Sequence, residues 1–240
     1  MAMPATVMRW PLLLTAALLT ALFMAWQALV AVDFLYPFWH RTLHIDDTVR
    51  IFGAQNRNRR GFERTTTTEH ARLFAAIVRA VEHGGIGLEQ IQYRDPQGRP
   101  IDRLLTTPEI VHLRDVSRLI SATEKFGGLC SVAFFLIALS LYLRPAQRPP
   151  LKRLLGVLFG TAAATIAMVL SIGAKTVFYR FHTWLFPAGH PWFFYYQDSL
   201  MTTLMQAPNL FAGIAAEWLL LTALFFALLT FATNRLLPRV

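Results

Sequence analysis

Two histidines stand out because each has a possible carboxylate partner. His112 lies in the apolar stripe of a predicted helix, and Asp115 follows three residues later on the same helix surface. His182 lies in an aromatic segment that also contains Asp198. Imidazole titrates near neutral pH and can move protons, and a carboxylate partner would orient the ring. These residue types indicate proton-transfer chemistry, although a histidine in an apolar stripe is also commonly a packed core residue.

Other polar and aromatic groups lie near these histidines or inside a predicted membrane helix. Ser199 follows Asp198 and is a further supporting candidate. Glu217 lies inside a predicted membrane helix, where burying an ionisable group costs free energy. It is therefore a candidate for function unless it reaches the headgroups. The candidates for holding substrate or an oxyanion are Arg180, Trp184, Trp192 and Glu217.

Several common active sites are absent from the sequence. It has no Gly-x-Ser-x-Gly elbow, no His-x₄-Asp, no His-Glu-x-x-His and no phosphate-binding glycine loop. His40 and His44 have the spacing of metal ligands, with Asp46 and Asp47 nearby, but no further histidine or cysteine lies beside them. We therefore predict no metal and no cofactor. The single cysteine, Cys130, excludes a disulfide within the chain.

The composition is that of a membrane protein. Of the 240 residues, 55% are hydrophobic, and a membrane helix needs about 20 mostly apolar residues. Four stretches qualify: Trp10–Val32, Phe126–Leu143, Leu154–Lys175 and Phe211–Ala232. A signal peptide is the alternative for the first stretch, but its apolar run is longer than a typical signal segment.

The charge pattern orients these helices and disfavours nucleic-acid binding. The net charge is +9, and its excess lies in the short segments beside the helices, which predicts a cytoplasmic location for those segments. The fold class is a mainly α membrane protein with four transmembrane helices and an extracytoplasmic α or α+β domain between helices 1 and 2. The predicted order is cytoplasmic end and helix 1 (1–32), extracytoplasmic domain (33–125), helix 2 (126–143), cytoplasmic loop (144–153), helix 3 (154–175), extracytoplasmic aromatic segment (176–210), helix 4 (211–232) and cytoplasmic end (233–240).

Local signals predict several elements of the domain. Thr66 and Glu69 fit a capping box, which predicts a helix that ends at Gly84. Turn residues within 87–103 predict a short hairpin, and Thr107-Pro108 predicts the start of the helix that carries His112. Gly127-Gly128 would allow a bend that keeps His112 close to the bilayer, whereas a straight helix would place it about 20 Å away.

Two stretches carry a family resemblance. Glu109 to Val116 has the pattern Glu-x-x-His-x-x-Asp-Val. The second stretch combines Phe181-His182, the Phe-Pro-x-Gly run at Phe186–Gly189, Trp192 and Asp198-Ser199-Leu200. In these stretches and in its predicted layout, the chain resembles the lipoprotein intramolecular transacylase family of bacterial integral membrane proteins.

The resemblance implies a reaction and a setting. It implies transfer of the sn-2 acyl chain of a diacylated lipoprotein onto the α-amino group of its own N-terminal cysteine, at the outer face of the bacterial inner membrane. His112 and His182 would be the two essential histidines, and the partners would be that lipoprotein and membrane lipid. A lipid hydrolase, an intermolecular acyltransferase and a non-enzymatic lipid-binding accessory or sensor protein remain the alternatives. A transporter is disfavoured by the few polar groups in the helices.

Overall fold

Helices make up most of the structure, a computed structural model that describes residues 5–146 and 171–237 and a few positions between 156 and 168. In chain order the helices are α1 (Ala5–Val30), α2 (Tyr36–Thr42), α3 (Ile45–Thr48), α4 (Thr67–Glu82), α5 (Thr107–Leu143), α6 (Ala174–Leu185), α7 (Leu200–Met205) and α8 (Asn209–Leu236). Two antiparallel strands, β1 (Gln92–Arg94) and β2 (Pro100–Arg103), form a hairpin between α4 and α5.

Three of the described helices are long and apolar enough to cross a membrane. They are Met8–Val30 of α1, α5 and α8. They contain most or all of three of the predicted membrane helices. The mainly helical prediction is therefore confirmed, and these three helices are consistent with a membrane protein. On α5, Leu129, Phe135 and Leu136 are more than half exposed, as expected for side chains that face lipid. The predicted helix 3 (154–175) lies largely outside the described residues.

The chain divides into two compact units. The first unit comprises the described residues of Met1–Met24, Lys125–Ala188 and Leu221–Val240. Its core joins apolar residues of α1, α5 and α8, including Leu13, Phe134 and Phe226. The Arg9 guanidinium donates to the Ser140 hydroxyl over 3.2 Å and thereby links α1 to α5.

The second unit comprises Ala25–Glu124 and Gly189–Leu220. The Tyr36 ring stacks on Phe74 of α4 with ring centroids 4.2 Å apart, and its hydroxyl donates to the Leu204 carbonyl over 2.8 Å. These contacts pack α2 against α4 and α7. Because Tyr36 is almost fully buried, its hydroxyl needs such a partner.

The local signals in this unit are confirmed. The Thr66 hydroxyl accepts from the backbone N–H of Glu69 at the start of α4, and Gly84 follows its end with φ +74°. A positive φ is cheap only for glycine, which explains why α4 stops there. The Asp95 carboxylate accepts from the backbone N–H groups of Gln97 and Arg99 and closes the turn of the hairpin.

The helix that carries His112 continues past the two glycines. Helix α5 runs through Gly127 and Gly128 without interruption. Two adjacent glycines weaken a helix but do not break it when its backbone bonds continue and packing supports it. His112 lies in the part of α5 that belongs to the second unit.

The two glycines have different surroundings, which gives a matched test of packing in the first unit. A Cβ on Gly127 would lie 2.8 Å from Phe23 Cβ, whereas no described atom lies within 4 Å of a Cβ on Gly128. Phe23 Cβ is bonded to the backbone and cannot rotate away. Gly127→Ala should therefore destabilise the protein by about 1–3 kcal/mol, whereas Gly128→Ala should leave stability unchanged or slightly raised. Thermal unfolding in detergent measures both variants, and equal midpoints would contradict the close packing.

Candidate active site

The start of α5 forms a line of contacts with the segment 189–199. Glu109, His112 and Asp115 are spaced three residues apart and lie on one face of α5. Glu109 bonds Ser199, the His112 ring lies near Phe194, and Asp115 bonds His190. The contact order is reversed along the two segments, so the segment runs antiparallel to α5.

Glu109 is the fully buried end of this line. Its Oε1 accepts from the Ser199 hydroxyl over 2.5 Å. Its Oε2 accepts from both the backbone N–H and the hydroxyl of Thr106, over 2.5 Å and 2.7 Å. The Thr106 bonds form one half of a capping box at the start of α5. The Ser199 hydroxyl in turn accepts from the Thr202 backbone N–H and caps α7, so Glu109 ties the starts of two helices together.

His112 occupies the middle of the line. Its side chain is half-buried, and its ring centroid lies 6.0 Å from that of Phe194. The aromatic neighbour comes from the motif segment that the sequence singled out. The structure therefore brings His112 together with the 189–199 part of that segment.

Asp115 has partners that the sequence did not predict. Its Oδ2 lies 2.5 Å from His190 Nδ1, and its Oδ1 lies 3.1 Å from an Arg118 guanidinium nitrogen. The Asp115 side chain is nearly buried, whereas that of His190 is 38% exposed. When His190 Nδ1–H donates to the carboxylate, Nε2 becomes the basic nitrogen, as in the histidine–aspartate pair of a catalytic triad.

Asp198 holds the segment against a loop of the domain. Its carboxylate pairs with Arg57 over 3.3 Å, and its carbonyl accepts from the Asn58 side-chain amide over 2.8 Å. The Arg57 backbone N–H also donates to the Gln197 carbonyl over 2.8 Å. These bonds give Asp198 an anchoring position beside Ser199.

His182 lies in the first unit, in the last turn of α6. Its Nδ1 lies 2.8 Å from the Phe178 carbonyl, one turn earlier, so Nδ1 carries the proton and Nε2 is the basic nitrogen. Its ring is 3.9 Å from the Phe178 ring and 5.4 Å from Phe186, centroid to centroid. Burial lowers the pKa of His182, and the bond to Phe178 partly opposes that shift. Burial therefore favours the neutral form of the ring, in which Nε2 can accept a proton.

The remaining candidates have different degrees of exposure. Arg180 and Trp184 are exposed on α6, and Trp184 is 82% exposed. Trp192 is half-buried beside Phe193, with ring centroids 6.2 Å apart. Glu217 is half-buried on α8, and its Oε2 is enclosed with no hydrogen-bond partner among the described residues.

Sequence reasoning missed the role of Glu109, and it missed His190 and Arg57. Thr106 and Glu109 have the Thr-x-x-Glu spacing of a capping box, which is a signal for Glu109 in the sequence alone. His190 directly follows the Phe-Pro-x-Gly run, but its bond to Asp115 joins residues 75 positions apart. No local pattern indicates such a contact.

A family model described as lipoprotein intramolecular transacylase Lit matches residues 89–207. This range contains both motif stretches and the whole line of contacts between α5 and the segment 189–199. Searches of curated proteins and of solved structures found no match.

Proposed function

We propose that this chain, whose residues 89–207 match the lipoprotein intramolecular transacylase family model, moves an acyl chain within one lipoprotein. The acyl chain leaves the sn-2 oxygen of the diacylglyceryl group and becomes bonded to the α-amino nitrogen of the N-terminal cysteine. The product is an N-acylated lyso-lipoprotein.

The contacts along α5 are the observation that carries this proposal. The two motif stretches are far apart in the sequence, yet Glu109 bonds Ser199 and Asp115 bonds His190. His112 lies between these two bonds, beside Phe194. Fixed contacts on both sides of an imidazole are what a positioned acid–base group requires.

The protein does not have to supply a nucleophile, because the substrate amine is the nucleophile. The amine nitrogen attacks the ester carbonyl, the bond from that carbonyl to the sn-2 oxygen breaks, and the amine proton ends on the released hydroxyl. The amine has a reference pKa of about 7.7–8.0, so a histidine base suffices to remove its proton. Amine and ester belong to one molecule, and well-oriented pairs of this kind reach effective molarities of about 10⁵–10⁸ M.

His112 and His182 share the proton transfers in this proposal. One takes the amine proton, and the other stabilises the oxyanion or returns a proton to the sn-2 oxygen. Nε2 of the neutral His182 ring can accept a proton, and only then can it donate a hydrogen bond or return that proton. His190, oriented by Asp115 and partly exposed, is a third imidazole placed to relay protons beside His112.

The remaining groups serve binding in this proposal. Arg180 and Trp184, both exposed, contact the lipid headgroup and the interface, and Trp192 lines the substrate path. Glu217 interacts with the substrate amine. The protein acts in the bacterial inner membrane with its site on the extracytoplasmic face, where diacylated lipoproteins present their N-termini.

The N-terminal lipid structure of a lipoprotein tests this function. We expect expression of the gene in a bacterium with diacylated lipoproteins to convert them to a form with one O-linked and one N-linked chain. Mass spectrometry of the N-terminal peptide should show an unchanged number of acyl chains and one fatty amide. A hydrolase would remove one acyl chain, and an intermolecular acyltransferase would add one. An accessory protein would change neither the number of acyl chains nor their linkage. Any of these three outcomes contradicts the proposal.

A further inference from the structure

Three side chains from α2, α3 and α4 point their ligand atoms at one place in the second unit. His40 Nε2 lies 2.9 Å from His70 Nδ1. Asp46 Oδ1 lies 3.6 Å from the first of these nitrogens and 3.5 Å from the second. This cluster is separate from the line of contacts on α5.

The distances fit a metal ion better than they fit an ion pair. Metal–ligand bonds to imidazole and carboxylate are about 2.0–2.2 Å, so ligand atoms around one tetrahedral or octahedral ion are about 3.0–3.5 Å apart. The three separations are 2.9, 3.5 and 3.6 Å. At these distances the Asp46 carboxylate makes no direct hydrogen bond to either ring. An ion placed between the three atoms would need shifts of only a few tenths of an ångström.

A hydroxyl outside the cluster sets the tautomer of His70. The Thr65 hydroxyl donates to the Phe62 carbonyl over 2.6 Å and lies 2.8 Å from His70 Nε2. Because that hydroxyl proton is already used, the Thr65 oxygen accepts a proton from Nε2, and His70 Nδ1 turns its lone pair toward the cluster. Metal-binding histidines typically donate their second N–H to such a partner.

Burial gives the cluster a closed side and an open side. The side chains of His40 and His70 are each 1% exposed, whereas that of Asp46 is 55% exposed. His40 Nδ1 is enclosed with no hydrogen-bond partner among the described residues, and a metal bond at Nε2 would not change that. Burying two imidazoles in this way costs free energy that the hydrogen bond between them offsets only in part. Metal bonds at both rings would offset more of it.

We propose that His40, His70 and Asp46 bind one divalent transition-metal ion, with Zn²⁺ as the best fit, and that solvent completes its coordination on the Asp46 side. Two imidazoles and one carboxylate suit Zn²⁺ and its neighbours Co²⁺, Ni²⁺ and Cu²⁺, whereas Ca²⁺ and Mg²⁺ prefer oxygen ligands. The sequence pairs His40 with His44, but His44 is exposed, and the fold supplies His70 instead. The ligand that the spacing of His40 and His44 does not reveal is His70, which lies 30 positions after His40.

The ion would clamp the helices that support α7. Tyr36 of α2 donates to the Leu204 carbonyl, and the Gln206 side-chain amide donates to the Leu43 carbonyl over 3.0 Å and to the Thr48 hydroxyl over 2.7 Å. Fixing α2 and α3 against α4 therefore stiffens the base on which α7 rests. The role is structural and independent of the proposed acyl transfer.

Zinc binding by the full-length protein in detergent tests the site. The protein is purified with a tag that contains no histidine, stripped with a chelator and titrated with Zn²⁺ against a chromophoric competitor. The matched variants are Asp46→Asn and Asp47→Asn, two adjacent exposed aspartates of which only the first belongs to the cluster. Asparagine at 46 retains an acceptor for the Thr67 hydroxyl, so α3 should fold.

We expect one Zn²⁺ per chain for the wild type and Asp47→Asn, and an affinity at least tenfold lower for Asp46→Asn. Saturating Zn²⁺ should raise the unfolding temperature of the first two proteins more than that of the third. His70→Ala should also lose the ion. Equal zinc affinity in Asp46→Asn and the wild type, or no zinc uptake by the folded wild type, would overturn the proposal whatever the acyl-transfer activity.

Discussion

Replacing His112 or His182 with glutamine is expected to lower the rate of N-acylated lyso-lipoprotein formation by about 10²–10⁴-fold, the usual contribution of a general acid or base. Glutamine keeps a polar side chain of similar reach but has no group that titrates near neutral pH. At position 182 its amide can still donate to the Phe178 carbonyl, so the local bond of α6 need not be lost. The rate is measured as the converted fraction of a reporter lipoprotein by mass spectrometry over time.

His83→Gln is the matched control for this experiment. His83 Nδ1 lies 2.7 Å from the carbonyl of Arg79, four residues earlier, which is the same local arrangement as that of His182. His83 is exposed at the end of α4 and belongs to no predicted site, so its replacement should leave conversion unchanged. Wild-type conversion by a stably accumulated His112→Gln or His182→Gln protein would remove that histidine from the mechanism.

His190→Gln separates a proton relay from a purely structural pair. If His190 relays protons beside His112, the variant should lose activity while its unfolding temperature stays close to that of the wild type. The Asp115 carboxylate keeps Arg118 as a partner, and the glutamine amide can replace the donor that His190 supplied. A loss of stability without a change in the rate per folded molecule would assign His190 to the structure alone.

Local patterns in the sequence were sufficient for the parts of the fold that depend on near neighbours. The Thr66–Glu69 capping box sets the start of α4 within three residues, and Asp95 to Gly98 sets the hairpin turn. Apolar length alone predicted the parts of α1, α5 and α8 that are long and apolar enough to cross a membrane. In each of these cases the physical cause lies within one or a few turns of chain.

Local sequence patterns did not predict the contacts between segments that are distant in the chain. Asp115 was expected to orient His112 along one helix surface, yet its bonds go to His190 and Arg118. The spacing of His40 suggested His44 as its neighbour, whereas packing of α2 on α4 brings it to His70. Side-chain partners of this kind are chosen by tertiary packing, which periodicity does not encode. The roles of His112 and His182 in catalysis stay predictions.

Of the substitutions that we consider in the second unit, Glu109→Ala should lower the stability of the protein most. The Glu109 side chain is fully buried and accepts three hydrogen bonds, from the Ser199 hydroxyl and from the N–H and hydroxyl of Thr106. Alanine would leave these donors without an acceptor and remove half of a capping box. Each unsatisfied buried group costs about 1–3 kcal/mol, so we expect a loss on the order of 3 kcal/mol or more.

Glu89→Ala is the matched control, because Glu89 is a partly exposed glutamate whose carboxylate pairs with Arg114. An exposed pair of this kind contributes about 0–1 kcal/mol. For a chain of this length, about 3 kcal/mol corresponds to a midpoint roughly 6–12 °C lower, so tryptophan fluorescence during thermal unfolding in detergent should separate the two variants clearly. Glu109→Gln, which keeps one acceptor oxygen, should fall between them. If Glu109→Ala unfolds at the same temperature as Glu89→Ala, Glu109 does not join α5 to α7, and the support for placing His112 against the segment 189–199 is lost with it.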